Sequence, residues 1–166
     1  WVKDVTFDPN TLFFAVYVFR QEAYLGVLSY LRITPDAGSI EVGNINFSRG
    51  MQRTPTSTEA IYLVMQWAFQ SGYRRFEWKC NALNGPSRRA AQRLGFSYEG
   101  IFRQALVVKG RNRDTAWFAM IDSEWPALKE AYRVWLDPSN FDQNGQQRER
   151  LGDLTGLVRA ATDPSL

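Results

Sequence analysis

The chain has 166 residues, 45% of them hydrophobic and 22% charged, so it is long enough to form one domain around one core. It contains no histidine and one cysteine, Cys80, which excludes Ser-His and Cys-His catalysis, His-ligated metal sites and any disulfide within the chain. The net charge of +3 fits an anionic ligand without requiring one, and no apolar run approaches the ~20 residues that span a bilayer. The single cysteine favours a reducing cytoplasm, and a first residue other than Met indicates a processed chain or a fragment.

The first part of the chain predicts three strands. Residues 12–19 and 24–33 are rich in aromatic and β-branched residues and flank a short polar turn, as expected of a hairpin. Residues 39–47 follow the same pattern and lie between two glycine-containing turns. We therefore expect an antiparallel start to the sheet.

Beyond Pro55 the hydrophobic pattern takes the helical period. Ile61, Val64, Met65 and Ala68 share one face, and a glycine follows at position 72, where a helix commonly ends. The remaining pattern predicts a strand over 73–80, a helix over 87–94 stopped by Gly95, strands over 96–108 and 115–121 joined by the polar residues 109–114, and a helix over 123–135 capped by Ser123.

The order of these elements predicts a mixed α/β fold in a single domain over residues 1–137. Beyond Pro138 the composition turns polar, with many Asn, Gln and Arg residues. We expect residues 138–166 to form a tail with at most one weak helix, near 147–160.

A candidate phosphate-binding loop lies between the third strand and the first helix, in the run from Gln52 to Ala60. A strand-to-helix loop presents backbone N–H groups and the positive end of the helix dipole, which suit a pyrophosphate. Pro55 removes one donor, and neighbouring Thr and Ser hydroxyls could replace it. An ordinary helix start, with Thr56 and Glu59 as a capping box, explains the segment at least as well.

Two further segments carry a recognisable spacing. The first is Asn84-Gly-Pro-Ser87 with two arginines, followed by Leu94-Gly95-Phe96, and the second is Glu99-Gly100-Ile-Phe-Arg103. Together with the loop, they resemble the GNAT superfamily of N-acetyltransferases, in particular the branch that acetylates the N-termini of ribosomal proteins. The resemblance runs from about residue 12 to 136 and departs at Pro55 and Ser57, where the family has small residues.

The resemblance implies a central, mostly antiparallel twisted sheet flanked by helices, with the elements that normally precede Leu12 missing. It implies direct transfer of the acetyl group of acetyl-coenzyme A to a primary amine, such as a protein N-terminal α-amine, without a metal. The partners would be the acceptor amine and no membrane. A homodimer remains open.

The resemblance also implies roles for individual residues. Ser87 would donate a hydrogen bond to the leaving thiolate, although it could instead cap its helix. Glu41, ranked first, and Glu99 are candidate bases, although both could be solvated strand residues. A backbone N–H in the 44–47 stretch would polarise the thioester carbonyl, with Gly43 at a bulge. Cofactor contacts are expected from Asn44, Ile45, Asn46, Phe47, Gln52, Arg53, Thr54, Thr56, Ser57, Thr58, Lys79, Cys80, Asn84, Ser87, Arg88 and Arg89.

Two other functions compete with this interpretation. A catalytically inactive coenzyme A-binding module would share the same loop and helix. A nucleic-acid-binding domain would use a basic patch with Tyr73 and Trp78 as stacking groups. The patch would comprise Arg74, Arg75, Lys79, Arg88, Arg89 and Arg93.

If the acetyltransferase interpretation holds, one of the adjacent Arg88 and Arg89 should face a phosphate and the other solvent, because neighbouring helix residues point ~100° apart.

Overall fold

The computed structural model of the chain describes residues 8–166. The described residues divide into two units, 8–76 and 77–166. Each unit contains antiparallel strands and at least one helix, so the mixed α/β class, with a mostly antiparallel sheet flanked by helices, is confirmed.

The sheet of the first unit consists of three antiparallel strands in chain order. They are β1 (Leu12–Val18), β2 (Ala23–Thr34) and β3 (Ser39–Phe47), which confirms the predicted hairpin and third strand. Helix α1 (Pro55–Gln70) packs against them, and the hydroxyl of the buried Tyr30 donates to the carbonyl of Val64 at 2.6 Å. This bond holds α1 in place against β2.

The start of α1 differs from the predicted capping box. Thr54, not Thr56, is the N-cap, and its hydroxyl oxygen accepts the backbone N–H of Ser57 at 3.4 Å. Pro55 occupies the first helical position, where its missing N–H costs least. The capping box was a wrong expectation because a side chain caps only the turn whose N–H it can reach.

The second unit contains the remaining strands in the order β4-β6-β5, with β4 beginning at the end of the first unit. The turn between β5 and β6 is much shorter than the predicted 109–114 link, because β6 already begins at Arg111 and pairs with Val108. The elements are β4 (Arg75–Asn81), α2 (Gly85–Arg93), β5 (Ser97–Val108), β6 (Arg111–Ile121), α3 (Trp125–Leu136) and α4 (Leu151–Gly156).

Helix α3 begins two residues later than expected. Glu124 stands at its N-cap without a side-chain cap, so the predicted cap by Ser123 is wrong. Gly95, by contrast, ends α2 as predicted, with φ at +96°. A Cβ at Gly95 would lie 2.6 Å from Leu128 Cδ2, so this glycine also allows α3 to approach closely.

The segment beyond Pro138 is more ordered than the predicted tail. It contains α4, the expected short helix, and buries Leu151, Thr155 and Asp163 to 1% exposure or less. These residues belong to the packing of the second unit, because the Thr155 hydroxyl donates to a carbonyl of α2 and the Ala160 backbone N–H donates to the Ser97 hydroxyl of β5.

Candidate active site

Strand β3 carries the expected bulge. Its pairing with β2 changes register between the Ser29–Gly43 and Val27–Asn46 pairs. The positive φ of 49° falls on Asn44, not on the glycine before it. A bulge turns backbone groups away from the ladder, which is the property that the family resemblance requires of the 44–47 stretch.

Ser29, which the sequence did not single out, holds this bulge. Its side chain is fully buried, and its hydroxyl donates to the Gly43 carbonyl at 3.3 Å. The Asn44 amide donates in turn to the Ser29 oxygen at 3.0 Å. Asn tolerates the left-handed conformation better than other residues with a Cβ, and this bond adds a partner for its side chain.

The two candidate bases lie in different environments. Glu41 is 3% exposed on β3, and its Oε2 accepts a bond from Arg32 at 2.6 Å. Its Oε1 lies 3.9 Å from where a Cβ on Gly43 would stand, which is the start of the bulge. Glu99 is an exposed residue of β5 at the register shift between Tyr98 and Gly100. The catalytic role of either carboxylate stays a prediction.

The loop before α1 uses its own polar groups. The Gln52 side-chain amide donates to the Phe47 carbonyl at 2.7 Å. The hydroxyls of Thr54 and Ser57 donate to the carbonyls of Met51 and Thr54, at 2.6 and 2.8 Å. These two hydroxyls therefore do not replace the donor that Pro55 lacks. Arg53 is exposed, Thr56 is half-buried and Thr58 is buried.

In the second unit, Asn84 caps α2. Its side-chain oxygen accepts the backbone N–H of Ser87 at 3.2 Å, so the alternative in which Ser87 is the cap is wrong. The Ser87 oxygen accepts a bond from the indole Nε1–H of Trp78 at 3.1 Å. The indole is a donor only, so the Ser87 hydroxyl proton is directed to a different acceptor, and the Cys80 sulfur is a neighbouring one.

Cys80 is a buried free thiol near Ser87. Burial raises the pKa of this thiol, and a hydrogen bond with Ser87 opposes the rise only in part. The sulfur therefore stays protonated at neutral pH, and Cys80 is not a poised nucleophile.

Arg88 and Arg89 lie in different environments. Arg88 is 9% exposed and holds the carboxylate of Asp163 with two bonds of 2.7 Å. Arg89 is exposed, and its guanidinium would contact a Cβ placed on Gly85 at 3.3 Å, in the first turn of α2. A phosphate contact by Arg88 is disfavoured by its internal partner. The same contact by Arg89 stays a prediction.

The proposed nucleic-acid patch does not form in the second unit. Lys79 pairs with Glu77 at 2.7 Å and lies 3.7 Å from the centroid of the Trp117 ring, with 8% of its side chain exposed. Arg93 lies over the ring of Trp135. Together with the burial of Arg88, these contacts leave most of the unit's candidate cations unavailable to a phosphate backbone. Trp78, the suggested stacking group, is 8% exposed.

Two further properties bear on the site. Among residues 8–166, no group of three or more Asp, Glu or Cys side chains lies close enough to bind a metal ion. Over the same residues, every helix is too short or too polar to cross a membrane.

Comparison with known proteins shows that the chain is similar to acetyltransferases. A family model described as an acetyltransferase (GNAT) domain matches residues 1–97. The ribosomal-protein-serine acetyltransferase of Escherichia coli (strain K12) is 31% identical over 109 residues, which cover 64% of this chain and 60% of that protein. The chain thus spans about three fifths of the length of this relative.

Solved structures agree in fold. A GCN5-related N-acetyltransferase from Brucella melitensis is 51% identical, covers 94% of this chain and 71% of its own, and superposes with a TM-score of 0.89. A probable acetyltransferase of the GNAT family from Chromobacterium violaceum is 43% identical, covers 76% of this chain and 64% of its own, and gives a TM-score of 0.74.

Proposed function

Because the chain belongs to the GNAT acetyltransferase family, we propose that it transfers the acetyl group of acetyl-coenzyme A to a primary amine. The co-substrate supplies an activated thioester whose thiol has an ordinary pKa of ~8.5. What the protein must supply is a phosphate-binding element, a polarising N–H group and a donor for the departing sulfur.

The first unit has features that fit the phosphates and the carbonyl. The start of α1 has the positive end of a helix dipole, with the exposed Arg53 beside it. The N–H of Thr56, in the first turn of the helix, has no intrahelical carbonyl to bind. The bulge at Asn44 turns backbone out of the β2–β3 ladder, where an N–H could act as an oxyanion donor without a side chain.

The observation that carries the proposal is the hydrogen bonding of Ser87. Asn84 accepts the Ser87 backbone N–H, and Trp78 donates to the Ser87 hydroxyl oxygen, so both the backbone and the side chain of Ser87 are held. Its proton faces the neighbouring Cys80 sulfur, and a departing sulfur anion is a stronger acceptor than that neutral thiol. Ser87 is therefore our candidate for stabilising the leaving group.

We propose a protein N-terminal α-amine as the acceptor. An α-amine has a pKa of ~8, against ~10.4 for Lys, so it needs less help from a base. The similarity to the ribosomal-protein-serine acetyltransferase of Escherichia coli supports the same acceptor class. Glu41, beside the bulge, remains the first candidate base and Glu99 the second. Action in the cytoplasm is part of the proposal, and a homodimer stays a prediction.

The test is an acetylation assay with a mass readout. The protein is incubated with acetyl-coenzyme A and peptides that carry a free α-amine, a blocked α-amine with a free lysine, or both. We expect α-amine products, and we expect Ser87→Ala to lower the rate about 10- to 1000-fold. Binding of the co-substrate without any acetylated product would favour the inactive coenzyme A-binding module. Acetylation of lysine alone would show that the acceptor is a lysine side chain and not an α-amine.

A further inference from the structure

Residues 155–165, here called the strap, cross α2 in the second unit. The Thr155 hydroxyl donates to the Arg93 carbonyl at 3.0 Å, at the end of the helix. One residue earlier in the helix, the Arg159 guanidinium donates to the Gln92 carbonyl, and the Asp163 backbone N–H donates to the Gln92 side chain. The strap is thus attached to the helix that carries Ser87.

Its strongest contact is the pair of Asp163 and Arg88. The two bonds are both 2.7 Å, and the Asp163 side chain is fully buried. The same guanidinium donates to the Ala82 carbonyl at 2.8 Å. Arg88 therefore closes the turn between β4 and α2, and Asp163 sets the orientation in which it does so.

This turn contains the residues on which the proposed chemistry depends. Within it, the Ser87 and Arg88 N–H groups donate to the side chain and the backbone carbonyl of Asn84, at 3.2 and 3.0 Å. The Leu83 N–H donates to the Asn81 side chain at 2.9 Å. These local bonds are exposed at Asn84, so the buried pair is what restrains the turn from inside.

We propose that Asp163 is a positioning residue for Ser87, acting through Arg88 and the turn that Arg88 closes. The catalytic part of this inference rests on the proposed function, whereas the restraint of the turn does not. A bidentate pair fixes a plane and a direction, which a hydrophobic contact of the same volume would not. Geometry of this kind matters because a misplacement of 1 Å can lower a rate about 100-fold.

A purely structural role must be distinguished from positioning. Replacing a buried ion pair by packed hydrophobic residues often leaves stability unchanged or improved. A double variant, R88M/D163L, removes the pair without leaving a buried charge. If the pair only stabilises the fold, this variant should recover both stability and turnover. If the pair positions Ser87, stability recovers and turnover does not.

The first measurement is independent of activity. Amide hydrogen exchange compares Ser87 and Arg88 with Leu94 and Phe96, whose N–H groups bond within and just after the same helix. We expect Asp163→Asn and R88M/D163L to speed exchange at the first two amides about tenfold or more relative to the second two. Unchanged relative exchange in both variants would overturn the inference, whether or not the protein acetylates anything.

Two matched variants serve as controls. Asp153→Asn makes the same chemical change at an exposed position of α4 and should leave amide exchange at Ser87 and the turnover unchanged. Thr155→Ala removes the bond to Arg93 at the other end of α2 and should lower stability without the selective change at Ser87. Equal effects of Thr155→Ala and Asp163→Asn on the Ser87 amide would reduce Asp163 to a structural residue.

The second measurement is turnover at saturating acetyl-coenzyme A. We expect Asp163→Asn to lower kcat about 10- to 100-fold, with the Kd of the co-substrate changed less than about threefold. Asp163→Glu, which keeps the charge, should recover part of the rate. If the wild type is active and Ser87→Ala is equally fast, the proposed role of Ser87 is contradicted. A slow Ser87→Ala with a normal Asp163→Asn would contradict only the positioning inference.

Discussion

The indole N–H of Trp78 donates to the Ser87 hydroxyl oxygen at 3.1 Å, from a buried strand to the first turn of the next helix. This bond occupies one lone pair of the oxygen and biases the hydroxyl proton toward the opposite side. A net hydrogen bond contributes about 1 kcal/mol, close to a fivefold effect on an equilibrium or a rate.

Trp78→Phe should therefore lower kcat about fivefold while the Kd of acetyl-coenzyme A stays near the parent value. The change keeps an aromatic ring and removes the donor. Trp117→Phe is the matched control, because the Trp117 indole N–H has no hydrogen-bond partner among residues 8–166. Steady-state kinetics and titration calorimetry measure the two constants. Equal losses in kcat from both variants would contradict the orienting role of Trp78.

Arg88 and Arg89 should separate into a stability effect and a binding effect. Arg89→Ala should raise the Kd of acetyl-coenzyme A about tenfold and leave the melting temperature unchanged, since a charge-assisted phosphate contact contributes ~1.5–3 kcal/mol. Arg88→Ala should cost about 3–5 kcal/mol of unfolding free energy, because it leaves the Asp163 carboxylate buried and unpaired. Calorimetry and thermal denaturation measure these quantities.

A stable Arg88→Ala protein with weakened co-substrate binding would reverse this assignment. It would place Arg88, not Arg89, at the phosphate. Arg103→Ala, at another exposed arginine of the second unit, controls for a general loss of positive charge.

The left-handed conformation of Asn44 predicts an unusual order of stability among substitutions at this position. Asn44→Gly keeps the backbone and loses only the bond to Ser29, whereas Asn44→Val also places a β-branched residue at a positive φ. We expect the valine variant to be less stable than the glycine variant by about 1–2 kcal/mol. Urea denaturation measures the difference. If the valine variant is as stable as the glycine variant, the bulge is not where the structure places it.

The Asp163 pair should weaken only in acid. Burial alone would raise the pKa of this carboxyl, but hydrogen bonds from Arg88 and from the Ser165 N–H outweigh burial, so the pKa lies below its usual range. The folded state therefore holds the proton less tightly than the unfolded state, whose Asp pKa is ~3.9. The stabilisation of the fold by this pair is complete above the unfolded-state pKa, and it is lost as the pH falls through the lower pKa of Asp163 in the folded state.

Accordingly, the difference in unfolding free energy between the wild type and Asp163→Asn should be constant from about pH 5 to 8 and should shrink below about pH 4. Urea denaturation at a series of pH values gives this difference. A decline near neutral pH would show that another group dominates the linkage.

Acetyl-coenzyme A should stabilise the fold. At a concentration of ~100 times its Kd, a ligand that binds only the native state adds ~2.7 kcal/mol. Thermal denaturation with and without the co-substrate measures the shift, and adenosine triphosphate at the same concentration controls for general anion binding. A shift of the same size with both ligands would argue against a specific site.

Much of the fold could be predicted because it is encoded locally. The alternation of residues 39–47 matches β3 at both ends, and the helical period after Pro55 matches α1. Gly95 ends its helix because a glycine adopts a positive φ at little cost. Errors concern helix starts, where Thr54 and Asn84 act as caps in place of Thr56 and Ser87, since capping depends on the reach of a side chain.

In the candidate site, the helix start was predictable, whereas the hydrogen-bond partners of its side chains were not. The spacing of Asn84 and Ser87 pointed to a helix start with a hydroxyl, and the structure places both there. No local pattern indicates that Ser29 holds the bulge, that Trp78 donates to Ser87 or that Asp163 pairs with Arg88 across 75 positions of sequence. Periodicity reports which face of an element is buried, whereas a hydrogen bond between distant residues depends on how the folded chain brings them together. The sequence by itself determined the elements and the family, and only the tertiary structure decided which charges and hydroxyls have partners.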